Sequence, residues 1–375
     1  MRILVAGDFV PRHRVSSQIE AGDFKCLEEV RPIIQAVDYA IVNFESPIVL
    51  HKANPIDKTG PSLKCTKEAM DCIAYTGFNC VTLANNHFRD YGNEGVRDTI
   101  ETCIEKGLDY VGGGKTRGEA EKTLYKNICG KIMAIINVCE NEWSIASGNK
   151  GGANPLNIVN VCHSIKQAKQ KADYILVIVH GGTELYNLPT PRMKETYRFF
   201  IENGADAVVN HHQHCYSGYE IYQGKPIFYG LGNFCFDKNT NNIDELWEKG
   251  FLLELDLEDV IGFRLYPYIQ CAVNKPGVQI LKDNNEFYAS IERLNQIIND
   301  DAQLQFHFEQ MASKGFLIAK SLLVPYSSKI SVWLFSKGLL PSFINSTRLK
   351  KLRANIQCEA HKDVLLSGLV SNSNF

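Results

Sequence analysis

Hydrophobic and polar positions alternate in blocks along the first two thirds of the chain. Short apolar runs predict buried strands, and longer stretches with apolar residues at every third or fourth position predict helices. The predicted strands are Ile3 to Gly7, Tyr39 to Phe44, Cys80 to Ala84, Lys131 to Val138, Tyr174 to His180 and Ala205 to Asn210. The predicted helices are Thr66 to Tyr75, Gly92 to Lys106, Ile158 to Lys171 and Pro191 to Asn203. This alternation is typical of an α/β core with parallel strands.

The pattern changes twice towards the C-terminus. Strand-like runs first follow one another without long helices between them, at Tyr219 to Tyr222, Pro226 to Tyr229, Phe251 to Asp256 and Phe263 to Tyr268. We therefore expect part of the sheet system to be antiparallel or mixed. From about residue 285 the periodicity becomes helical, so we predict one domain over residues 1–284 and a helical C-terminal appendage over residues 285–375.

Two interpretations of the appendage stand side by side. An apolar stretch from Val332 to Leu340 precedes a basic run that contains Arg348, Lys350, Lys351 and Arg353. The interpretation we favour is an ordinary helix that packs on the core with a solvated basic face. The alternative is peripheral contact with a membrane surface through this amphipathic, basic flank.

Composition narrows the class of protein. The chain has 375 residues, 45% of them hydrophobic and 22% charged, with a formal net charge of −2, as in ordinary globular proteins. A net charge this close to zero gives the protein no overall electrostatic attraction for nucleic acid. The sequence also contains no nucleotide-binding P-loop of the kind that an ATP-driven ligase would need. The twelve cysteines form no CxxC pair, and the sequence opens directly into a strand pattern without a secretory signal. We therefore expect reduced core cysteines and a cytoplasmic location, with peripheral membrane contact as the alternative.

Polar residues gather where the predicted strands end. Since ligands of open α/β sheets bind at the carboxyl ends of strands, these side chains are candidates for one site. In chain order they are Asp8, Glu45, Asn85, Asn86, His87, His180, His212 and His214. His212 and His214 would point the same way if the sixth strand continued through them, whereas His211 would face the opposite side as a packing residue. Imidazoles that converge with such ligands predict a metal site.

The order of several motifs adds a family resemblance. The motifs are Gly7-Asp8, Asn43-Phe44-Glu45-Ser46-Pro47, Gly77 to His87, Asp90-Tyr91-Gly92, Gly112-Gly113-Gly114, His180-Gly181-Gly182-Thr183-Glu184, Gly204-Ala205-Asp206, His212-Gln213-His214, Glu220 to Lys225 and Leu231 to Phe236. Over roughly residues 1–240 the chain resembles the CapA-type proteins of capsule and poly-γ-glutamate biosynthesis, whose domain is related to calcineurin-like metallophosphatases. The resemblance implies a four-layer α/β/β/α sandwich of the metallophosphatase type with its site at one edge.

The resemblance also implies a ligand set for two divalent metal ions. The mixed oxygen and nitrogen donors suit Mn, Fe, Zn or Mg. Asp8 would hold the first ion together with His214, and Glu45 would bridge the two. The second ion would take Asn86, His180 and His212.

Two further residues receive catalytic roles in this scheme. His87 would protonate the leaving group as general acid, and Asp90 would orient it or raise its basicity. The alternative for Asp90 is an N-cap or loop acceptor ahead of the helix near Gly92. For Glu184 we leave open a role near the substrate and a carboxylate at a helix start.

Four positions depart from the family pattern. Gly181 stands where Trp is usual and Gln213 where Pro is usual. Ser217 or Gly218 replaces a usual Gln, and Val10 stands where related metallophosphatases have a histidine ligand. Despite these departures, the resemblance and its candidate metal ligands predict a capsule biosynthesis protein. It would act as a divalent-metal-dependent phosphoesterase on a phosphorylated or polymeric envelope-related substrate. The alternative is a non-catalytic metal-binding component of a polymer synthesis or export assembly. Amide-bond chemistry on polyglutamate is a third hypothesis, which the family's name alone suggests.

Overall fold

A computed structural model describes residues 1–58, 60–238, 244–323, 346–358 and 360–365. The strands in these ranges are β1 (Arg2–Val10), β2 (Tyr39–Phe44), β3 (Cys80–Thr82), β4 (Asp109–Val111), β5 (Gly113–Gly114), β6 (Leu124–Ile128), β7 (Lys131–Cys139), β8 (Gly152–Ala153), β9 (Tyr174–His180), β10 (Ala207–His211), β11 (Tyr219–Tyr222), β12 (Lys225–Phe228), β13 (Asn233–Phe236), β14 (Lys249–Asp256), β15 (Gly262–Ala272) and β16 (Lys275–Ile280). The helices are α1 (His13–Glu20), α2 (Arg31–Gln35), α3 (Glu68–Thr76), α4 (Gly92–Glu105), α5 (Arg117–Ala120), α6 (Ile158–Ala168), α7 (Pro191–Asn203), α8 (Glu245–Glu248), α9 (Asn285–Asn299), α10 (Asp301–Leu323) and α11 (Ser346–Gln357).

The first large sheet is mixed. Its strand order is β16-β15-β14-β1-β2-β3-β4, and β13 pairs with the distal part of β1. The strands β1 to β4 run parallel, whereas β14, β15 and β16 are antiparallel to their neighbours. This antiparallel half is the mixed pairing expected from the closely spaced strands late in the sequence.

The second large sheet has the order β11-β12-β10-β9-β7-β6. Its central strands β7, β9, β10 and β12 are parallel, and antiparallel strands close both edges. Connections between parallel neighbours pass through α6 and α7, which pack on the outer face of this sheet. Both helices contribute to one apolar cluster with the strands beneath them, through residues such as Ile165 and Tyr197.

Alternation along β1 shows how the layers stack. Ile3 and Val5 belong to the core that lies between the two sheets, whereas Leu4 and Ala6 belong to a second core under α1, α3 and α4. Since successive strand residues face opposite sides, the first sheet separates these two cores. The order is helix, sheet, sheet, helix, so the α/β/β/α sandwich predicted from the sequence is confirmed.

The start of the predicted appendage shares the core of the sandwich. Phe287, Ile291 and Leu294 on α9 lie in the cluster between and around the sheets, and Tyr219 of β11 donates its backbone N–H to Asn295 at 2.7 Å. The boundary at residues 284 and 285 stays a prediction, and the apolar stretch from Val332 to Leu340 falls outside the described residues. No described helix combines the length and apolarity that a membrane crossing requires.

Close approach of two backbones shapes the edge where the site lies. The register of β1 against β2 shifts between Ala6 and Asp8, so Gly7 occupies an irregularity in the strand. A Cβ atom on Gly7 would lie 1.9 Å from the carbonyl oxygen of Gly232, just ahead of β13. Gly7 thus permits β13 to dock, and the irregularity sets the direction in which Asp8 leaves the strand.

Gly7→Ala should lower the free energy of unfolding by about 3 kcal/mol, because the added methyl group meets backbone that cannot rotate away. Gly118→Ala is the matched control, since a Cβ there meets nothing within 4 Å and the site is helical. The control should be neutral or slightly stabilising. Thermal and urea unfolding of both variants measure the difference. Equal unfolding midpoints for the two would contradict the close β1–β13 contact.

Candidate metal centre

Strands from both sheets deliver the candidate ligands to one edge of the sandwich. In the first sheet, Asp8 lies in β1, Glu45 follows β2 directly, and Asn86 lies in the loop after β3. In the second sheet, His180 ends β9, and His212 and His214 follow β10. All six side chains are buried, and the structure brings all of them except Asn86 together in two groups that share Glu45.

The first group consists of Asp8, Glu45 and His214. Their donor atoms lie within 4.8 Å of one another. Nδ1 of His214 is 3.3 Å from Oδ2 of Asp8, and its Nε2 is 4.0 Å from Oε1 of Glu45. Two carboxylates and one imidazole form a mixed oxygen and nitrogen donor set.

The second group consists of Glu45, His180 and His212, again with donor atoms within 4.8 Å. Nε2 of His180 lies 3.6 Å from Oε1 of Glu45, 3.1 Å from Nδ1 of His212 and 3.1 Å from Oδ1 of Asn86. These separations suit hydrogen bonds between the groups and also allow the same atoms to converge on a shared cation. Asn86 thus joins the second group.

Glu45 provides the test of whether these residues fit a cation. The side chain is fully buried, yet neither carboxylate oxygen has a hydrogen-bond partner among the described residues. Burial and the nearby charge of Asp8 raise the pKa of Glu45 well above its ordinary value. A buried carboxylate without a donor is unfavourable unless a cation accompanies it, so the donor set fits a divalent metal ion bridged by Glu45.

Charge compensation within the cluster is visible at Asp8 and His214. Burial alone would raise the pKa of Asp8, but the hydrogen bond from His214 and the charges of His211 and His180 hold it well below its usual range. Burial alone would lower the pKa of His214, whereas Glu45 and Asp8 raise it to about 10. The two carboxylates thus favour a positive charge on His214, and a cation bound at its ring would supply that charge instead and displace a proton.

Two asparagines orient these ligands. Asn43 donates from Nδ2 to Oδ1 of Asp8 at 2.7 Å, and the same nitrogen lies 3.3 Å from Nδ1 of His180. Oδ1 of Asn233 lies 2.9 Å from Nδ1 of His214. The amide oxygen of Asn233 can accept the Nδ1–H of His214, which fixes the ring orientation and the tautomer of a ligating histidine, whereas the amide nitrogen of Asn43 can only donate. Both residues lie inside motifs that carry the family resemblance, but their roles could not be inferred from the sequence.

The convergence of His212 and His214 has a different origin from the one expected. The strand β10 ends at His211, and His212 and His214 have positive φ values of 89° and 55°. They therefore lie in a turn with left-handed backbone and face different groups of the cluster, so the expected continuation of the strand was wrong. His211 packs with its Nε2 3.0 Å from the carbonyl oxygen of Ala6.

His87 and Asp90 form a pair beside the cluster. Nδ1 of His87 is 2.7 Å from Oδ2 of Asp90, which also accepts the backbone N–H of Leu63 at 2.7 Å. The N-cap of α4 is Tyr91, so Asp90 does not cap that helix. Lys58, which the sequence did not single out, contacts Asp90 and lies 3.2 Å from Nδ1 of His87. Burial lowers the pKa of His87 and outweighs the hydrogen bond to Asp90.

Positions that depart from the family pattern have packing roles. Val10 lies in a small apolar cluster with Leu63, Phe236 and Trp247. Gln213 donates from Nε2 to the carbonyl oxygens of Tyr186 and Leu188. A Cβ on Gly181 would lie only 2.8 Å from Cγ of Glu140, so a larger residue would displace Glu140.

The two alternatives left open for Glu184 separate in the structure. Glu184 is exposed in the turn after β9, seven residues before α7 begins at Pro191, and so does not start a helix. Its charge is one of those that raise the pKa of His214, which places it beside the candidate ligands.

Glu142 is a site residue that the sequence analysis missed. It follows β7, and its Oε1 lies 3.8 Å from Nε2 of His212 while its Oε2 accepts from Nδ2 of Asn86 at 3.3 Å. The signal was present in the sequence, because Glu140 and Glu142 follow a predicted strand just as Asp8 and Glu45 do.

Comparison with known proteins now assigns the family. Residues 2–238 match the family model described as Bacterial capsule synthesis protein. The chain belongs to this family. The resemblance to CapA-type proteins seen in the sequence is therefore confirmed, and the match spans every candidate ligand from Asp8 to His214.

Curated relatives carry related names. The capsule biosynthesis protein CapA of Bacillus anthracis is 30% identical over 247 residues, which cover 64% of this chain and 60% of the relative. The PGA biosynthesis protein CapA of Bacillus subtilis strain 168 is 32% identical over 222 residues, which cover 58% of each chain. The aligned region thus spans about three fifths of these relatives.

Solved structures show more distant likeness. A hypothetical protein from Thermus thermophilus aligns over 71% of this chain and 99% of its own, with 13% identity and a TM-score of 0.45. The 5'-nucleotidase from Candida albicans aligns over 70% of this chain and 50% of its own, with 12% identity and a TM-score of 0.41.

Glu45→Gln tests the fit of the cluster to a cation. In metal-free, mildly alkaline buffer the variant should melt at a higher temperature than the wild type. Because the pKa of Glu45 is raised on folding, ionisation destabilises the metal-free fold as the pH rises above the unfolded value, and glutamine removes that effect. Saturation with Mn²⁺ should reverse the order, since at a hundred times the Kd the wild type gains about 2.7 kcal/mol. Calorimetric melting with and without Mn²⁺ measures both effects. An identical Mn²⁺ shift in both proteins would remove Glu45 from the ligand set.

Proposed function

We propose that this protein is a divalent-metal-dependent phosphoesterase-like hydrolase that acts on a phosphorylated or polymeric substrate during capsule or poly-γ-glutamate synthesis. The observation that carries the proposal is the pair of ligand groups around the unpartnered carboxylate of Glu45, next to His87 and Asp90. The family membership supports the biological setting. The chemistry rests on the side chains themselves.

Asp8, Glu45 and His214 would hold one cation, and Glu45, Asn86, His180 and His212 would hold the other. When bound, two such cations polarise a phosphoryl oxygen and make water a stronger nucleophile near neutral pH. The protein contributes the fixed donor positions. Asn43 keeps Asp8 in orientation and Asn233 does so for His214, and burial keeps bulk water away from the charges.

His87 would supply the proton to the leaving oxygen. Its Nδ1 is engaged by Asp90, so Nε2 is the atom that remains for the substrate. Asp90 favours the protonated ring, and the ammonium of Lys58 offsets part of the charge of Asp90. The role rests on the buried pairing of His87 with Asp90 and on its place next to the candidate ligand Asn86 in the loop after β3.

An open cleft adjoins this region at Glu142. It has a volume of about 750 Å³, and Glu142, which contacts His212, lies in its wall. The basic side chains of Arg89, Lys150 and Arg353 also line it. The acidic side chains of Asp57 and Glu142 line it too, so the lining has an excess of one positive charge, which suits an anionic substrate such as a phosphorylated intermediate or an acidic polymer.

A non-catalytic role in a polymer synthesis or export assembly is the second candidate. Val10 favours it, because an apolar side chain packed against Phe236 and Trp247 stands where related metallophosphatases have a histidine ligand. One cation position is therefore held by fewer protein donors. Metal binding without turnover is the outcome that this candidate requires.

His212→Ala should lower kcat/KM for phosphoester hydrolysis in Mn²⁺ by more than the roughly 10–100-fold typical of losing an outer-shell partner, because a direct ligand is removed. His163→Ala is the control, since His163 is an exposed residue of α6. Hydrolysis of model phosphomonoesters and phosphodiesters, with and without chelator, gives the measurement. Activity that resists both the chelator and His212→Ala would remove the hydrolase proposal, whereas bound metal without any turnover would favour the second candidate.

His87→Ala should discriminate between leaving groups. An alkyl phosphate ester needs a proton on its leaving oxygen, so its turnover should fall by roughly 10²–10⁴-fold. A nitrophenyl ester, whose leaving group departs as the anion, should lose less than about tenfold. Comparison of kcat for the two esters, with His163→Ala as control, gives the result. Equal losses on both esters would make His87 a positioning residue instead.

A further inference from the structure

The C-terminal segment from residue 346 returns to the edge of the sandwich beside the candidate metal centre. Lys350 of α11 forms an ion pair with Asp57, and Asp363 forms one with Arg192, which also contacts Glu140. Arg353 and Gln357 line the same cleft as Glu142. This segment lies beyond the residues matched by the family model, so what it contributes is a property of this chain.

Three metal-binding side chains meet where the segment touches the core. Glu142, Cys358 and His361 place one carboxylate oxygen, one sulfur and one imidazole nitrogen within 4.8 Å of one another. Sγ of Cys358 is 3.7 Å from Oε1 of Glu142, and the cysteine is completely buried. Nδ1 of His361 is also buried and has no hydrogen-bond partner in the described part of the chain.

A buried imidazole nitrogen without a partner is costly, and one nitrogen of this same ring lies with the thiol and the carboxylate. A cation would engage all three groups at once. Thiolate, imidazole and carboxylate together form the donor set that Zn²⁺ prefers in proteins, whereas Mg²⁺ and Ca²⁺ take oxygen ligands.

We propose that Glu142, Cys358 and His361 form a further divalent-cation site of the zinc class, separate from the two groups around Glu45. Binding breaks the S–H bond of Cys358, the sulfur lone pair goes to the cation, and the proton leaves to solvent. Two of the three ligands belong to the C-terminal segment and one to the loop after β7. The cation therefore fastens this segment to the rim of the cleft.

The site adjoins the centre around Glu45 without sharing its imidazoles. Glu142 is the point of contact, because its Oε1 faces Cys358 on one side and lies 3.8 Å from Nε2 of His212 on the other. Three protein donors also leave one tetrahedral position open. Occupancy of this site does not depend on whether the neighbouring centre hydrolyses phosphoesters.

Cobalt substitution provides a direct test, since Co²⁺ replaces Zn²⁺ and a Co²⁺–thiolate bond gives a charge-transfer band in the near ultraviolet. Titration of the full chain with Co²⁺ should produce this band, and Cys358→Ala should abolish it together with about one equivalent of bound metal. Cys129→Ala is the matched control, because Cys129 is exposed at the β6–β7 turn and should leave the band unchanged. His212→Ala should also keep the band, which separates failure of this site from failure of the centre around Glu45.

A second measurement covers the case in which Cys358→Ala disturbs the fold. Zn²⁺ should slow amide hydrogen exchange in residues 346–358 and 360–365 of the wild type, and His361→Ala should remove this protection while exchange in β7 and β9 stays unchanged. Absence of a thiolate band in folded wild type, persistence of the band in Cys358→Ala, or equal Zn²⁺ protection in His361→Ala would each overturn the proposal.

Discussion

Two adjacent carboxylates buried at the seam of two sheets are the constraint to which the surrounding structure responds. Asp8 and Glu45 are removed from water, so their charges must be compensated within the protein. His214 and Asn43 compensate the charge of Asp8, because their hydrogen-bonding groups face its oxygens. The charge of Glu45 is not compensated, because both of its oxygens lack donors among the described residues. The uncompensated charge of Glu45 lies between the imidazole of His214 on one side and those of His180 and His212 on the other. A cation is the simplest group that would correct it.

An α/β core with a site at the carboxyl ends of its strands could be predicted from the sequence, because it follows from periodicity, whereas the four-layer order was implied by the family resemblance. The gathering of Asp8, Glu45 and His180 was accessible in the same way, since each stands at or just beyond the end of a strand. The turn conformation of His212 and His214 was not, because positive φ at a histidine leaves no mark in a pattern of apolar and polar positions.

Other features of the site depend on contacts between segments that are far apart in the chain. Lys58 comes from a long loop and reaches Asp90 across 32 positions, and Cys358 reaches Glu142 across 216. No spacing rule predicts pairs of that kind, since they arise only after the helices and sheets have packed. Glu142 is a different case. It follows a strand that the sequence predicts, so it could have been identified in the same way as Asp8, as a polar residue at the end of a strand.

The ligand groups draw on both sheets, with Glu45 from one and His180 and His212 from the other. A cation held there would link the two sheets of the sandwich rather than two parts of a single loop. The free energy of cation binding would then be lost only when the two sheets separate. The cation would therefore oppose global unfolding and have almost no effect on local fraying. The centre can assemble only after the two sheets have packed together, so we expect it to form late in folding.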